Sequence, residues 1–155
     1  MELSLSLYDG PLLDAFRAAP QVLRDHLAPA IWSGAESIQL EARATHHFVK
    51  RSGELEAAVT ALSVSDTTAR VFVNTSLSYA ASIHDGSVSH WIYPKNKKML
   101  RWPTPSGGWG ISIHGVHHPG TKPDQFLYAA AEAKRQSIQD SLNTAIGAAC
   151  REIGV

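Results

Sequence analysis

Histidine is the side chain best suited to metal binding and proton transfer near neutral pH. Five of the eight in this 155-residue chain lie between positions 84 and 118: His84, His90, His114, His117 and His118. With Asp85 beside His84, they are the raw material of a zinc or iron site such as a metal-dependent hydrolase uses. Their spacing argues otherwise. No H-E-x-x-H helix or 2-His-1-carboxylate pattern is present, and in one strand His114 and His117 would point to opposite faces. They are read as surface or interface histidines, with the hydrolase as the alternative and no metal or other cofactor expected.

The remaining candidates for chemistry are weaker. Cys150 stands among alanines on a helical stretch, where an inert buried thiol is the default. No serine occupies a G-x-S-x-G elbow. Asp66 and Asp85 are turn residues by type, and Gly107-Gly108-Trp109-Gly110 lacks the lysine and following helix of a phosphate loop. No catalytic residue is assigned and no enzymatic activity is expected. The one local charge cluster is Lys95, Lys97, Lys98 and Arg101, flanked by Trp91, Tyr93 and Trp102. Such a group can touch a nucleic-acid backbone or an acidic neighbour, or form a solvated hairpin tip. Trp91, Trp102 and Trp109 fit a subunit contact and a sheet core equally well. Lys95, Lys97, Lys98, Arg101, Trp91 and Trp102 are thus the candidate interface or DNA-channel residues, and a small nucleic-acid-binding module is a further alternative.

The elements that must position these residues are legible from periodicity. Leu3, Leu5 and Leu7 alternate with serines as in a short strand, and Leu12, Leu13 and Phe16 suggest one or two helical turns after Asp9-Gly10-Pro11. From Pro20 to about Phe48, Leu23, Leu27, Ile31, Ile38, Ala42 and Val49 form one apolar stripe. This predicts a long helix, kinked or split at Pro29, with an outer face of Arg24, Asp25, Glu36, Glu41 and Arg43. Ser52-Gly53 ends it. Leu55–Val64 and Ala69–Thr75 predict an antiparallel hairpin, and Ser78–Ile83 a turn of helix. His90–Tyr93 and Met99–Trp102 are strands joined by a polar turn. Trp109–Val116 is another strand, with Ile111 and Ile113 on one face, closed by His117-His118-Pro119-Gly120. From Pro123 to Ile153 a last helix carries Phe126, Ala130, Ile138, Leu142, Ile146, Ala149 and Ile153 as its stripe. The order predicts an α+β fold over residues 1–155, a single domain. One antiparallel sheet of about four to five strands would pack against a long N-terminal helix and a C-terminal helix.

Composition sets the outer limits. With 44% hydrophobic and 18% charged residues the chain is not intrinsically disordered. Fourteen basic and fourteen acidic residues leave no net field toward nucleic acid or an anionic membrane, and a neutral chain favours self-association. Cys150 alone makes no intrachain disulfide. The first residues lack the pattern of a signal peptide, and no apolar run approaches the roughly 20 residues of a membrane span. A soluble protein made in a cytoplasm is expected.

Four segments in order resemble the neck or tail-completion (minor tail component) proteins of long-tailed bacteriophages with HK97-like or lambda-like architecture. Ser52-Gly53-Glu54-Leu55 is similar to the family's T/S-G-x-L step between its long helix and first sheet strand. Tyr79-Ala80 followed by His84-Asp85-Gly86-Ser87 resembles its Y-A-x-x-x-(E/H)-x-G-(T/S) signature. Pro94-Lys95 through Met99-Leu100-Arg101-Trp102 resembles its P-K-x-x-x-x-L-x-(F/W) hairpin. Val116-His117-His118-Pro119-Gly120-Thr121-Lys122, then Phe126-Leu127 and Ala130, resembles its V-x-H-P-G-(T/S) loop and phenylalanine-anchored last helix. Lys50-Arg51 and Asp124-Gln125 stand where the family commonly has proline. The resemblance spans Arg51 to Ala133 and makes Gly53, Leu55, Tyr79, Ala80, Gly86, His118, Pro119, Gly120 and Phe126 structural motif residues. It implies a virion subunit assembled in the host cytoplasm, with no catalytic role and no membrane. That subunit would form a sixfold homo-oligomeric ring between the head connector or stopper protein and the tail terminator or tail-tube protein, with genomic DNA passing through its lumen. Apart from the resemblance, Gly53 and Gly86 suit turns with positive φ, and Phe126 suits an anchor of the last helix on the sheet.

Overall fold

The computed structural model describes residues 10–48, 52–74 and 77–154. The strand expected at Leu3–Leu7, together with Val49 and Lys50-Arg51, lies outside them. The described chain runs α1 (Gly10–Ala44), α2 (Glu54–Ala58), β1 (Val59–Ser65), β2 (Thr68–Val73), α3 (Ala80–His84), β3 (His90–Ile92), β4 (Leu100–Pro103), β5 (Trp109–Ser112), β6 (Val116–His118) and α4 (Phe126–Ile153). The α+β class and the two long helices are as expected. The strands, expected in one sheet, instead pair as three two-stranded antiparallel ribbons: β1–β2, β3–β6 and β4–β5. By internal packing these residues gather into two compact units. A helical unit comprises 10–46, 52–74 and 126–154, and a ribbon unit comprises 47–48 and 77–125.

In the helical unit α1 packs along α4 and carries the β1–β2 hairpin. The core is made of Ala35, Ala42, Leu55, Val59, Phe126, Ala130 and Ala149. Its alanines let two long helices approach closely, and Phe126 and Val59 supply the bulk. α1 starts ten residues before the expected Pro20 and runs unbroken through both Pro20 and Pro29. Each proline forfeits one backbone donor, at a cost near 3 kcal/mol in an isolated helix; packing over this length offsets it. Two residues expected on the outer face turn inward. Glu41 pairs with Lys134 of α4 at 2.9 Å, and Arg43 donates to the Val59 carbonyl at 2.7 Å. A second link between the long helices joins His26 to Glu152 at 2.8 Å.

Leu55 opens no strand. Gly53 adopts φ 80°, its carbonyl accepts from the Ala57 N–H at 3.0 Å, and the helix-forming run Glu54–Ala58 makes one short helix before the strand starts at Val59. The hairpin pairs Val59 with Val73 and Ala61 with Val71, and a bulge interrupts it between Ser63 and Ser65. α4 begins three residues later than expected, and Ile146 of its predicted stripe is exposed.

In the ribbon unit the predicted single strand Trp109–Val116 is broken. Gly115 takes φ 109°, and the chain leaves the β4–β5 ribbon there to pair β6 with β3. His117 and His118, expected in a closing turn, are strand residues for that reason. β3 and β4 are therefore consecutive without pairing with each other, and the Lys95–Lys98 segment connects two different ribbons rather than capping one hairpin. Two motif glycines meet in this unit. Ser87 and Thr121 exchange both backbone hydrogen bonds at 3.0 Å, flanked by Gly86 (φ 79°) and Gly120 (φ 94°). A Cβ on Gly86 would lie 2.8 Å from the Thr121 carbonyl oxygen, and one on Gly120 would strike the Ser87 carbonyl. Only glycine fits both the dihedrals and this approach.

Candidate functional site

The register of β4–β5 sets Arg101 opposite Ile111 and Pro103 opposite Trp109. Residues two apart on a strand and residues paired across it share a face, so these four form one surface. The Arg101 guanidinium lies over the Trp109 ring, 3.9 Å from its centroid, a cation–π contact that orients both groups. The surface is uncovered: Trp109 is 57% and Ile111 59% exposed, and Ile113, just beyond β5, is 60% exposed. Trp102 points to the other face, where its indole lies against Gly110. The structure thus separates Arg101 from Trp102, which the sequence had grouped, and joins Arg101 to Trp109 and Ile111 instead.

On the β3–β6 ribbon Trp91 is paired with His117. Its ring meets His117 edge-on at 5.4 Å and stacks with Tyr93 at 6.2 Å. Trp91 and Tyr93 are also exposed. Lys95, Lys97 and Lys98 are exposed in the connection that follows. The opposite face carries His90 and His118, their rings 5.2 Å apart. The Gly120 N–H donates to His118 Nδ1 at 3.1 Å, so His118 holds the turn that Pro119 and Gly120 make. That interaction gives the histidine of the H-P-G motif a structural task.

The hydrolase candidates do not converge. His84 Nδ1 bonds the Asp85 carboxylate at 2.8 Å at the end of α3, while His117 and His118 face opposite sides of β6. Among the described residues no three His, Cys, Asp or Glu side chains form a group able to hold a metal ion. Cys150 is a free, half-buried thiol on α4. Tyr79 precedes α3, its carbonyl accepting from the Ile83 N–H at 3.1 Å, and Ala80 after it is buried.

Asp124 is a residue the sequence left without a role. Its carboxylate accepts from the backbone N–H groups of His47 at 2.6 Å and Phe48 at 2.8 Å, and its own N–H donates to the Ile83 carbonyl at 2.9 Å. A proline at this position would lack that N–H. Among the described residues, Ala80 is the one buried hydrophobic residue of the ribbon unit, whereas ten of its larger apolar and aromatic side chains are exposed. No helix of the described chain is long and apolar enough to cross a membrane. No family model, curated protein or solved structure matches this chain.

Proposed function

We propose that the chain is a structural subunit of a phage neck or tail end. Copies form a ring that joins the head connector to the tail tube and lets DNA pass. Its work is assembly and docking rather than turnover. The observation that carries the reading is the imbalance of the ribbon unit, which buries Ala80 and leaves Trp91, Tyr93, Trp109, Ile111 and Ile113 on its surface. An uncovered face with large apolar side chains, such as that of Trp109 and Ile111 on β4–β5, marks contact with a partner. The motif residues add to this support. Gly86, His118 and Gly120 shape a turn junction, and Leu55, Ala80 and Phe126 are buried, so each has a packing or backbone task and none needs a reactive group.

The test is assembly with candidate partners. Purified protein is mixed with a head connector and a tail-tube protein and examined by electron microscopy and native mass measurement. Rings joined to those partners are the expected outcome. Monomers that persist with both partners present would refute the assignment.

A further inference from the structure

We infer that copies of this chain join head to tail, the Arg101–Trp109–Ile111 face of one copy docking on the acidic helical unit of the next. The chain is neutral as a whole, but its charge is segregated. Among the described residues the helical unit carries ten carboxylates against seven Lys and Arg, and the ribbon unit five Lys and Arg against two carboxylates. The formal charges are −3 and +3. Each unit therefore complements the other unit of a second copy and repels its own kind. Ribbon unit against ribbon unit would bring two net charges of +3 together, with Arg101 of each copy on the shared face, so a self-complementary dimer through β4–β5 is disfavoured. A contact between two different surfaces repeats from copy to copy and closes a ring when its rotation allows.

The make-up of the face selects a protein surface over a phosphate backbone. Its area is supplied by Pro103, Trp109 and Ile111, which gain by leaving water and gain nothing from phosphates. Arg101 is already oriented by Trp109, which presents one fixed cation amid apolar surface. That pattern, an aromatic and an arginine within an apolar patch, is typical of the centre of protein interfaces.

The inference deepens the assembly reading, and its experiment uses the chain alone so that the two can fail separately. Ile111→Glu puts a carboxylate in the middle of the face. The side chain is exposed in the free chain, so its fold, checked by circular dichroism, is kept. Sedimentation velocity is run on wild type, on the variant, and on a mixture with the variant fluorescently labelled. Wild type associates, and its association weakens between about 50 mM and about 500 mM salt as screening grows. The variant alone associates about a hundredfold more weakly, because the new charge is buried unpaired. Labelled variant still binds one wild-type copy and caps it, since its helical unit is intact. Arg101→Glu lowers self-association in the same direction and flattens the salt response.

Four results would overturn the inference. They are wild type that stays monomeric at the highest concentration reached, and variant that associates like wild type. The third is variant unable to bind wild type, which means a self-complementary contact. The last is tight duplex DNA binding by wild type that Ile111→Glu abolishes, which makes nucleic acid the occupant. Loss of rings with neck partners while head-to-tail pairing survives would strike the phage assignment alone.

Discussion

Replacing Phe126 by alanine tests whether the start of α4 is held by core packing. The residue is 1% exposed and is one of the two largest fully buried side chains described. A buried phenylalanine removes roughly 150–200 Å² from water, which at ~25 cal/mol/Å² is about 4–5 kcal/mol. The alanine methyl recovers part of this, and incomplete collapse of the cavity adds a penalty, so the expected loss is about 3–5 kcal/mol. That is a large share of the 5–15 kcal/mol total usual for a domain. Urea unfolding followed by far-ultraviolet circular dichroism is the assay. With a slope near 2 kcal/mol/M the midpoint falls by roughly 2 M. Phe126→Leu, which keeps most of the volume, loses about 1 kcal/mol. A loss below about 1 kcal/mol for the alanine variant, at unchanged slope, would show that this ring does not hold α4 to its neighbours.

Gly120→Ala forces a side chain onto a positive φ and into the Ser87 carbonyl, so it costs about 1–3 kcal/mol; an unchanged melting temperature would contradict the close approach. Asp124→Ala strands two backbone donors and should lose about 2–3 kcal/mol, measured by chemical denaturation, with the His47 and Phe48 amides exchanging faster with solvent. The last prediction concerns pH. The Lys134 ammonium, donating to Glu41, and the Thr45 hydroxyl beside it hold the Glu41 carboxyl below the usual carboxylate range. A lowered folded-state value means stabilisation that is present above the unfolded value and is lost as pH falls through the folded one. Lys134→Met should therefore trail wild type at pH 7 in urea midpoint and converge with it as Glu41 is protonated. A gap of constant size down to pH 3 would assign the pair's effect to packing.

The readable parts of this fold were those set by local rules. A stripe at 3.6-residue spacing marks α1 through Leu23, Leu27 and Ile31, and α4 through Phe126, Ala130 and Ala149, because burial of one helix face imposes that period. Gly53 and Gly86 were readable because a turn with positive φ selects glycine. Pro20 misled because proline commonly opens a helix, and only packing with a distant helix carries α1 through it. Glu41 and Arg43 misled for the same reason: whether a charge on α1 meets water depends on α4 and β1, whose positions the periodicity of α1 does not carry. The pairing of β3 with β6 had no local signature, since alternation shows which residues share a face but not which strand lies alongside. Gly115 was the available signal, a glycine inside a strand pattern where the chain changes partner. For the candidate site, Ile111 and Ile113 were placed on one strand face. That the face is bare could not be read, because uncovered and buried apolar alternation look identical in sequence.

The pairing of α1 with α4 sets an order on synthesis. The α1 segment leaves the ribosome without its main partner, and α4 emerges after the hairpin and all of the ribbon segment. At 5–20 residues per second the nascent chain waits roughly 5–20 s for that partner. During the wait the apolar side chains of α1 that α4 covers, beyond those the hairpin reaches, are open to chaperones and to other nascent copies on the same message. Translation arrest before Phe126 leaves a chain that cannot close its core and is a substrate for proteolysis.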